Sequence, residues 1–147
     1  MPVRTFDPKE VAVVVGGSVI GGFADGEFIR VSRKNDAYTM VEGSDGVISR
    51  AKSNSRSGEM TIILSQTSPS NDVLSLIHAA DEATNAGVVP VAVKDLSGRS
   101  TYVSAFAWIR KSPDTSFGKD ITNREWILDL ADYNPFVGGN ADVVAAP

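Results

Sequence analysis

This sequence predicts a mainly β fold, a small antiparallel barrel or sandwich with one helix packed on it, and three observations predict it. Short segments with apolar residues at every second position recur along the chain, separated by clusters of Gly, Asn, Asp and Ser. Only one stretch, about 69–86, carries the 3.6-residue period of an amphipathic helix. No repeat or linker divides the chain, so one domain over residues 1–147 is expected.

Met1–Lys9, with two prolines and mixed charge, reads as an extended N-terminal arm. Glu10–Val15 is rich in valine and reads as a strand running into Gly16-Gly17 and Gly21-Gly22, glycine pairs that suggest a bend or bulge between two short strands. Asp25-Gly26 is a hairpin signal, because this pair tolerates the positive φ angles of a tight turn. It would join the preceding segment to a strand at Glu27–Lys34, with Ala37–Glu42 as the return strand after Asn35-Asp36. Segment 42–58 is expected to be a long loop: Gly43–Gly46 turns, Val47–Lys52 begins one more strand, and Ser53–Gly58 has no large apolar group to hold it.

In Gly58–Ser65, Met60, Ile62 and Leu64 share one face, and Ile63 spoils the polar one. Ser68-Pro69 reads as a helix start, a hydroxyl cap followed by the residue that needs no amide hydrogen. Val73, Leu74, Leu76, Ile77, Ala80 and Thr84 then fall on one side of the helix, and Gly87 stops it. Val88–Lys94 is a strand whose Pro90 favours a sheet edge. Thr101–Lys111 is a long strand, with Tyr102, Phe106 and Trp108 on one face and Val103, Ala105, Ala107 and Ile109 on the other. Ile121–Ala131 sets Trp126, Leu128 and Leu130 against Glu125 and Asp129, and an extended C-terminal tail follows from Asp132. Several strands thus carry apolar groups on both faces, and the termini and 42–58 are long for so small a domain. Both features suggest surfaces covered by partners, the alternative being a sandwich with a few exposed apolar residues.

Composition bounds the chemistry. With no cysteine, disulfides, thiolate metal sites and cysteine nucleophiles are excluded. A formal net charge of −4 provides no general attraction to nucleic acid or to anionic membrane. The apolar run Val11–Val15 is too short to span a bilayer, and a soluble chain without a leader is expected. His78, the one histidine, lacks a carboxylate or second histidine at fixed spacing, and a surface role is the simpler reading. Gly16–Gly22 has the glycine separation of a phosphate loop without the following Lys-Ser/Thr. No Gly-x-Ser-x-Gly elbow occurs. No catalytic, cofactor or metal site is therefore expected, and no enzymatic activity. Arg50, Lys52 and Arg56 form a modest basic cluster without interleaved aromatics, suited to a solvated strand, a salt bridge or a phosphate contact.

The order of elements resembles that of the tail tube proteins of contractile-tailed phages, over nearly the whole chain. The runs that carry the resemblance are Val-Ile-Gly-Gly-Phe-Ala-Asp-Gly-Glu at 19–27, Ser-Arg-Ser-Gly-Glu-Met-Thr-Ile-Ile-Leu at 55–64 and Trp-Ile-Leu at 126–128. The resemblance, which extends to the type VI secretion tube, implies a structural protein of the virion, assembled in the host cytoplasm. It further implies homohexameric rings stacked into a hollow tube, with tail sheath, tape measure and baseplate proteins as partners. Phage DNA would pass through the lumen at genome ejection without specific binding. Arg30, Arg33 and Lys34 are the residues that tight DNA binding would implicate first, and Arg50, Lys52 and Arg56 are expected at a subunit or ring interface. A monomeric ligand-binding β-barrel and a type VI-like secreted tube protein are the alternatives.

Overall fold

The structure, a computed structural model, describes residues 2–144. Ten strands and one helix follow a short 3-10 turn at Pro8–Glu10. They are β1 (Val11–Val15), β2 (Ser18–Ile20), β3 (Ile29–Arg33), β4 (Tyr38–Glu42), β5 (Ile48–Lys52), β6 (Gly58–Ser65), α1 (Ser70–Thr84), β7 (Val89–Asp95), β8 (Thr101–Lys111), β9 (Asn123–Leu130) and β10 (Tyr133–Phe136). Seven strands form one antiparallel sheet in the order β2-β1-β7-β8-β9-β6-β3, with β10 also paired to β8. β4 and β5 form a separate two-stranded sheet.

The large sheet curls so that its inward faces meet. Val13, Val15, Ile20, Met60, Ile62, Leu64, Val91, Val93, Ile109, Trp126 and Leu128 all join one buried cluster, to which α1 adds Leu74. The seam is crossed by backbone bonds, without a continuous ladder. After β2 the chain passes along the end of β6, where Ser65 N–H donates to Gly22 O and Ala24 N–H donates to Ile63 O. The fold is therefore a curled sheet with one helix, of the expected class but not a closed barrel. Gly22 holds a positive φ of 72° beside Ser68, whose side chain a Cβ at position 22 would overlap.

Several elements depart from expectation for identifiable reasons. Gly16-Gly17, at φ 58° and 84°, makes the tight hairpin turn between β1 and β2. Asp25-Gly26 only redirects the chain: β2 pairs with β1 while β3 pairs with β6, so no hairpin forms there. The partner of Ala37–Glu42 is likewise β5 and not β3, and β5 is the strand expected at Val47–Lys52 within segment 42–58. The result is one long interrupted hairpin. The β3–β6 pairing ends at Arg33↔Gly58 and resumes as β4–β5 at Tyr38↔Lys52, one residue out of register.

Pro90 does not sit at an edge. β7 lies between β1 and β8, and the proline falls at a register shift, where a missing N–H is tolerated. The extra residue on β8 at that shift reverses its faces midway: Ser104 and Ala107 both point inward, so Phe106 is exposed and Trp108 half-buried. Simple alternation along β8 misses this because a bulge leaves no periodic trace.

Helix α1 starts at Ser70, with Ser68 Oγ accepting from Ser70 N–H at 3.2 Å and donating to Gly21 O at 2.6 Å. Asn85 takes the left-handed conformation at its end (φ 59°), and Gly87 follows, packed on Asp81. Leu76, expected on the apolar side, is 72% exposed. The tail is more ordered than a free extension: β10 pairs with β8, Asn140 Nδ2 donates to Thr5 O, and Arg4 pairs with Asp142 at 2.9 Å. The two terminal segments thus lie against each other, and residues 145–147 of the expected tail are outside the described residues.

Candidate assembly interface

Two surfaces stand out once the core is assigned. The first is the β4–β5 hairpin. Alternation in Tyr38-Thr39-Met40-Val41-Glu42 and in Ile48-Ser49-Arg50-Ala51-Lys52 is weak, and no residue of either strand is buried. Tyr38, Met40, Val41, Val47 and Ile48 are each 47–66% exposed. The hairpin is held at its root by Ser53 N–H donating to Ala37 O at 2.8 Å, and at its tip by Gly43 N–H donating to Val47 O at 2.8 Å. A two-stranded ribbon is at best marginally stable alone, so this one depends on the frame it extends from.

The second surface is the outer face of the curled sheet, which divides by chemistry. On β1, β7 and β8 it is apolar: Val14, Pro90, Ala92, Val103 and Ala105 line a shallow groove of about 460 Å³. On β3, β6, β9 and the far half of β8 it is a lattice of opposite charges. Arg110 donates to Asp129 at 2.7 Å and to Glu59 at 3.0 Å, and Lys34 reaches the same Asp129 at 2.6 Å. Hydrogen bonding from Arg110 above all, and from Lys34, holds the Asp129 carboxyl below its ordinary range against the opposing effect of partial burial. The same bonds raise the Arg110 guanidinium.

The expected interface residues do not form one cluster. Arg50 and Lys52 lie on β5, with the Arg50 guanidinium 4.3 Å from the centre of the Tyr38 ring. Arg56 is turned toward β10 instead, where it meets Asp132 at 3.4 Å and donates to Asn134 Oδ1. Arg30 is bound to Glu27 at 2.7 Å, and Arg33 donates to Ser55 O at 2.6 Å. His78 is mostly buried, with Nε2 2.8 Å from Glu82, and is not the free surface histidine that its helical position suggests. Among the described residues no group of three or more His, Asp or Glu is placed to hold a metal, and no helix is long and apolar enough to cross a membrane.

One buried residue escaped the sequence reading. Arg124 is 6% exposed and shares the inward face of β9 with Trp126, Leu128 and Leu130. The signal was present: carrying the alternation of β9 one step toward the N-terminus puts position 124 inside.

The curled sheet with one helix is a fold shared with solved structures from contractile injection systems. It matches the anti-feeding prophage cap, a tube-terminating cap, with a TM-score of 0.62 at 9% identity over 91% of this chain and 92% of that one. Two further structures come from an extracellular contractile injection system (PVC) in the extended state. They are its sheath/tube terminator (TM-score 0.62, 15% identity, 92% and 99% of the chains) and its sheath–tube complex (TM-score 0.60, 15% identity, 90% and 91%). Residues 10–138 match the family described as Bacteriophage PhiTE tail tube protein, and the chain belongs to that family. A relative, "Structural protein ORF10" of Pseudomonas phage KPP10, is 33% identical over 97% of this chain and 87% of its own length.

Proposed function

We propose that this protein is the repeating subunit of a phage tail tube, acting as one tail-tube domain. Six copies form a ring, rings stack head-to-tail, and the phage genome passes through the channel. The tail sheath contacts the outside of the tube, and tape measure and baseplate proteins start it. The observation that carries the reading is the hairpin: an exposed element bearing large apolar side chains on a body whose core is otherwise complete. Burying each of its large apolar side chains would contribute about 1.5–3 kcal/mol, which gives association a driving force. Arg50 and Lys52 ride on this element and meet acidic groups of the neighbour, with Arg56 at its base. The formal net charge of −4, with Arg30 paired to Glu27 and Lys34 to Asp129, supports passage of DNA without tight binding.

Light scattering and negative-stain microscopy of the purified chain test this. Six-fold rings and tubes are expected, nucleated where needed by tail-initiating proteins. A particle of 15.6 kDa at every concentration, even with those proteins supplied, overturns it. A second reading draws on the two terminator structures that share the fold: a chain that caps a tube forms single rings that never stack.

A further inference from the structure

We propose that Arg124 and the cavity beside it form a carboxylate socket, which receives the acidic tip of the β4–β5 hairpin of a second copy of this chain. The inference rests on the self-assembly reading and specifies the contact that propagates it. Arg124 is buried on β9, and among the described residues its hydrogen bonds go only to neutral acceptors. Nη1 donates to Thr122 Oγ1 at 2.7 Å and to Asn123 O at 3.2 Å, and Nη2 donates to Ser116 O at 3.2 Å. None of these partners is a carboxylate, although a guanidinium removed from water is costly unless its charge is matched.

The cationic side chain lines a cavity of about 370 Å³ between the start of α1 and the 112–122 loop, walled also by Gln66, Ser75, Ser112, Thr115 and Trp126. The walls are fixed: Trp126 Nε1 donates to Asn71 Oδ1 at 2.9 Å, and Asn71 Nδ2 donates to the carbonyls of Ser65 and Ser68. Phe117 stands at the mouth, 81% exposed, with its ring centre 5.1 Å from the guanidinium carbon. An arginine sunk behind an exposed aromatic is the composition of an interface hot spot.

The occupant follows from charge and topology. The hairpin tip carries Glu42, with no cation bonded to it among the described residues, and Asp45, whose Oδ1 only accepts from Val47 N–H. Socket and hairpin lie at opposite ends of β6. The Gly58 end continues into the hairpin, whereas the Ser65 end pairs with Asn123, next to Arg124. A hairpin strand of five residues reaches about 17 Å beyond the body. A copy displaced along β6 therefore brings its tip to the socket of the next. Because the two patches differ, the contact is heterologous and repeats without limit along the axis, as stacking requires.

The chain has no cysteine, so engineered pairs report cleanly. Asp45→Cys/Thr115→Cys protein is assembled, oxidised and run on non-reducing gels, with Asp45→Cys/Lys94→Cys as the control at the wrong end of the sheet. A ladder of covalent multimers specific to the first pair is expected. Tubes that form but give no ladder above the control overturn the socket and leave self-assembly standing. Failure of the unmodified chain to assemble even with tail-initiating proteins supplied overturns both, and capture of another tail component at position 115 in place of a second copy overturns the socket. In a second measurement, Glu42→Gln/Asp45→Asn, at exposed positions, should melt as the parent does yet need at least tenfold more protein to assemble. Assembly at the parent concentration overturns the proposal.

Discussion

β6 and the β4–β5 hairpin are consecutive parts of one ribbon, and they bury their residues in opposite ways. Along β6, Met60, Ile62 and Leu64 are sealed in the core, and even Thr61 on the other face is covered. Earlier in the same ribbon, Met40, Val41 and Ile48 are as apolar and are exposed. Backbone pairing is equally regular in both. The difference lies in neighbours: β6 has β3 on one side and β9 on the other, with a sheet curled over it, while β4 and β5 have only each other. Hydrogen bonding thus keeps a ribbon in shape, but burial decides where folding free energy resides. The hairpin keeps its apolar surface unspent until another molecule supplies the missing layer.

The comparison breaks if a core position on β6 can be emptied without consequence. Leu64→Ala should cost about 2–5 kcal/mol in urea unfolding of the unassembled protein, because the tight surround cannot collapse into the gap. A loss below 1 kcal/mol would mean that this strand is not the anchor of the ribbon.

The outer face of the same strand sets an intermediate scale. Asp129→Asn removes the carboxylate shared by Arg110 and Lys34 and should cost about 1 kcal/mol at pH 7. The sign of its pH dependence is determined. A carboxyl whose pKa is lowered by folding stabilises above its ordinary value, and that contribution is lost as pH falls through the lowered one. The difference between parent and variant should therefore shrink as the pH falls below the ordinary carboxylate range and the lowered carboxyl takes up its proton. A difference that persists in acid would trace the effect to packing.

The smallest effect on folding belongs to the hairpin. Met40→Ser/Ile48→Ser should leave the stability of the unassembled protein within about 0.5 kcal/mol of the parent, since nothing in the body touches those side chains closely enough to bury them. Assembly, followed by light scattering, should fail at concentrations that suffice for the parent. A variant that unfolds would show that the hairpin contributes to the core after all, and one that assembles normally would detach it from the interface.

Local chemistry alone determined much of this protein. The period of two located β6, β8 and β9, the single 3.6-residue period located α1, and turn residues located the breaks, because each depends on residues adjacent in the chain. The lack of cysteine was equally legible, and the family resemblance rested on contiguous runs, whereas the burial of His78 beside Glu82 was not legible. Pairing was not. That β3 meets β6 across an interposed hairpin, that Pro90 lies inside the sheet, and that β8 reverses its faces at a bulge depend on which distant segments come together. The exposed hairpin and the buried Arg124 belong to the same class, because burial is a property of the surround. A strand bearing Met and β-branched residues has one appearance in sequence whether a sheet covers it or water does, and only the tertiary structure decides which.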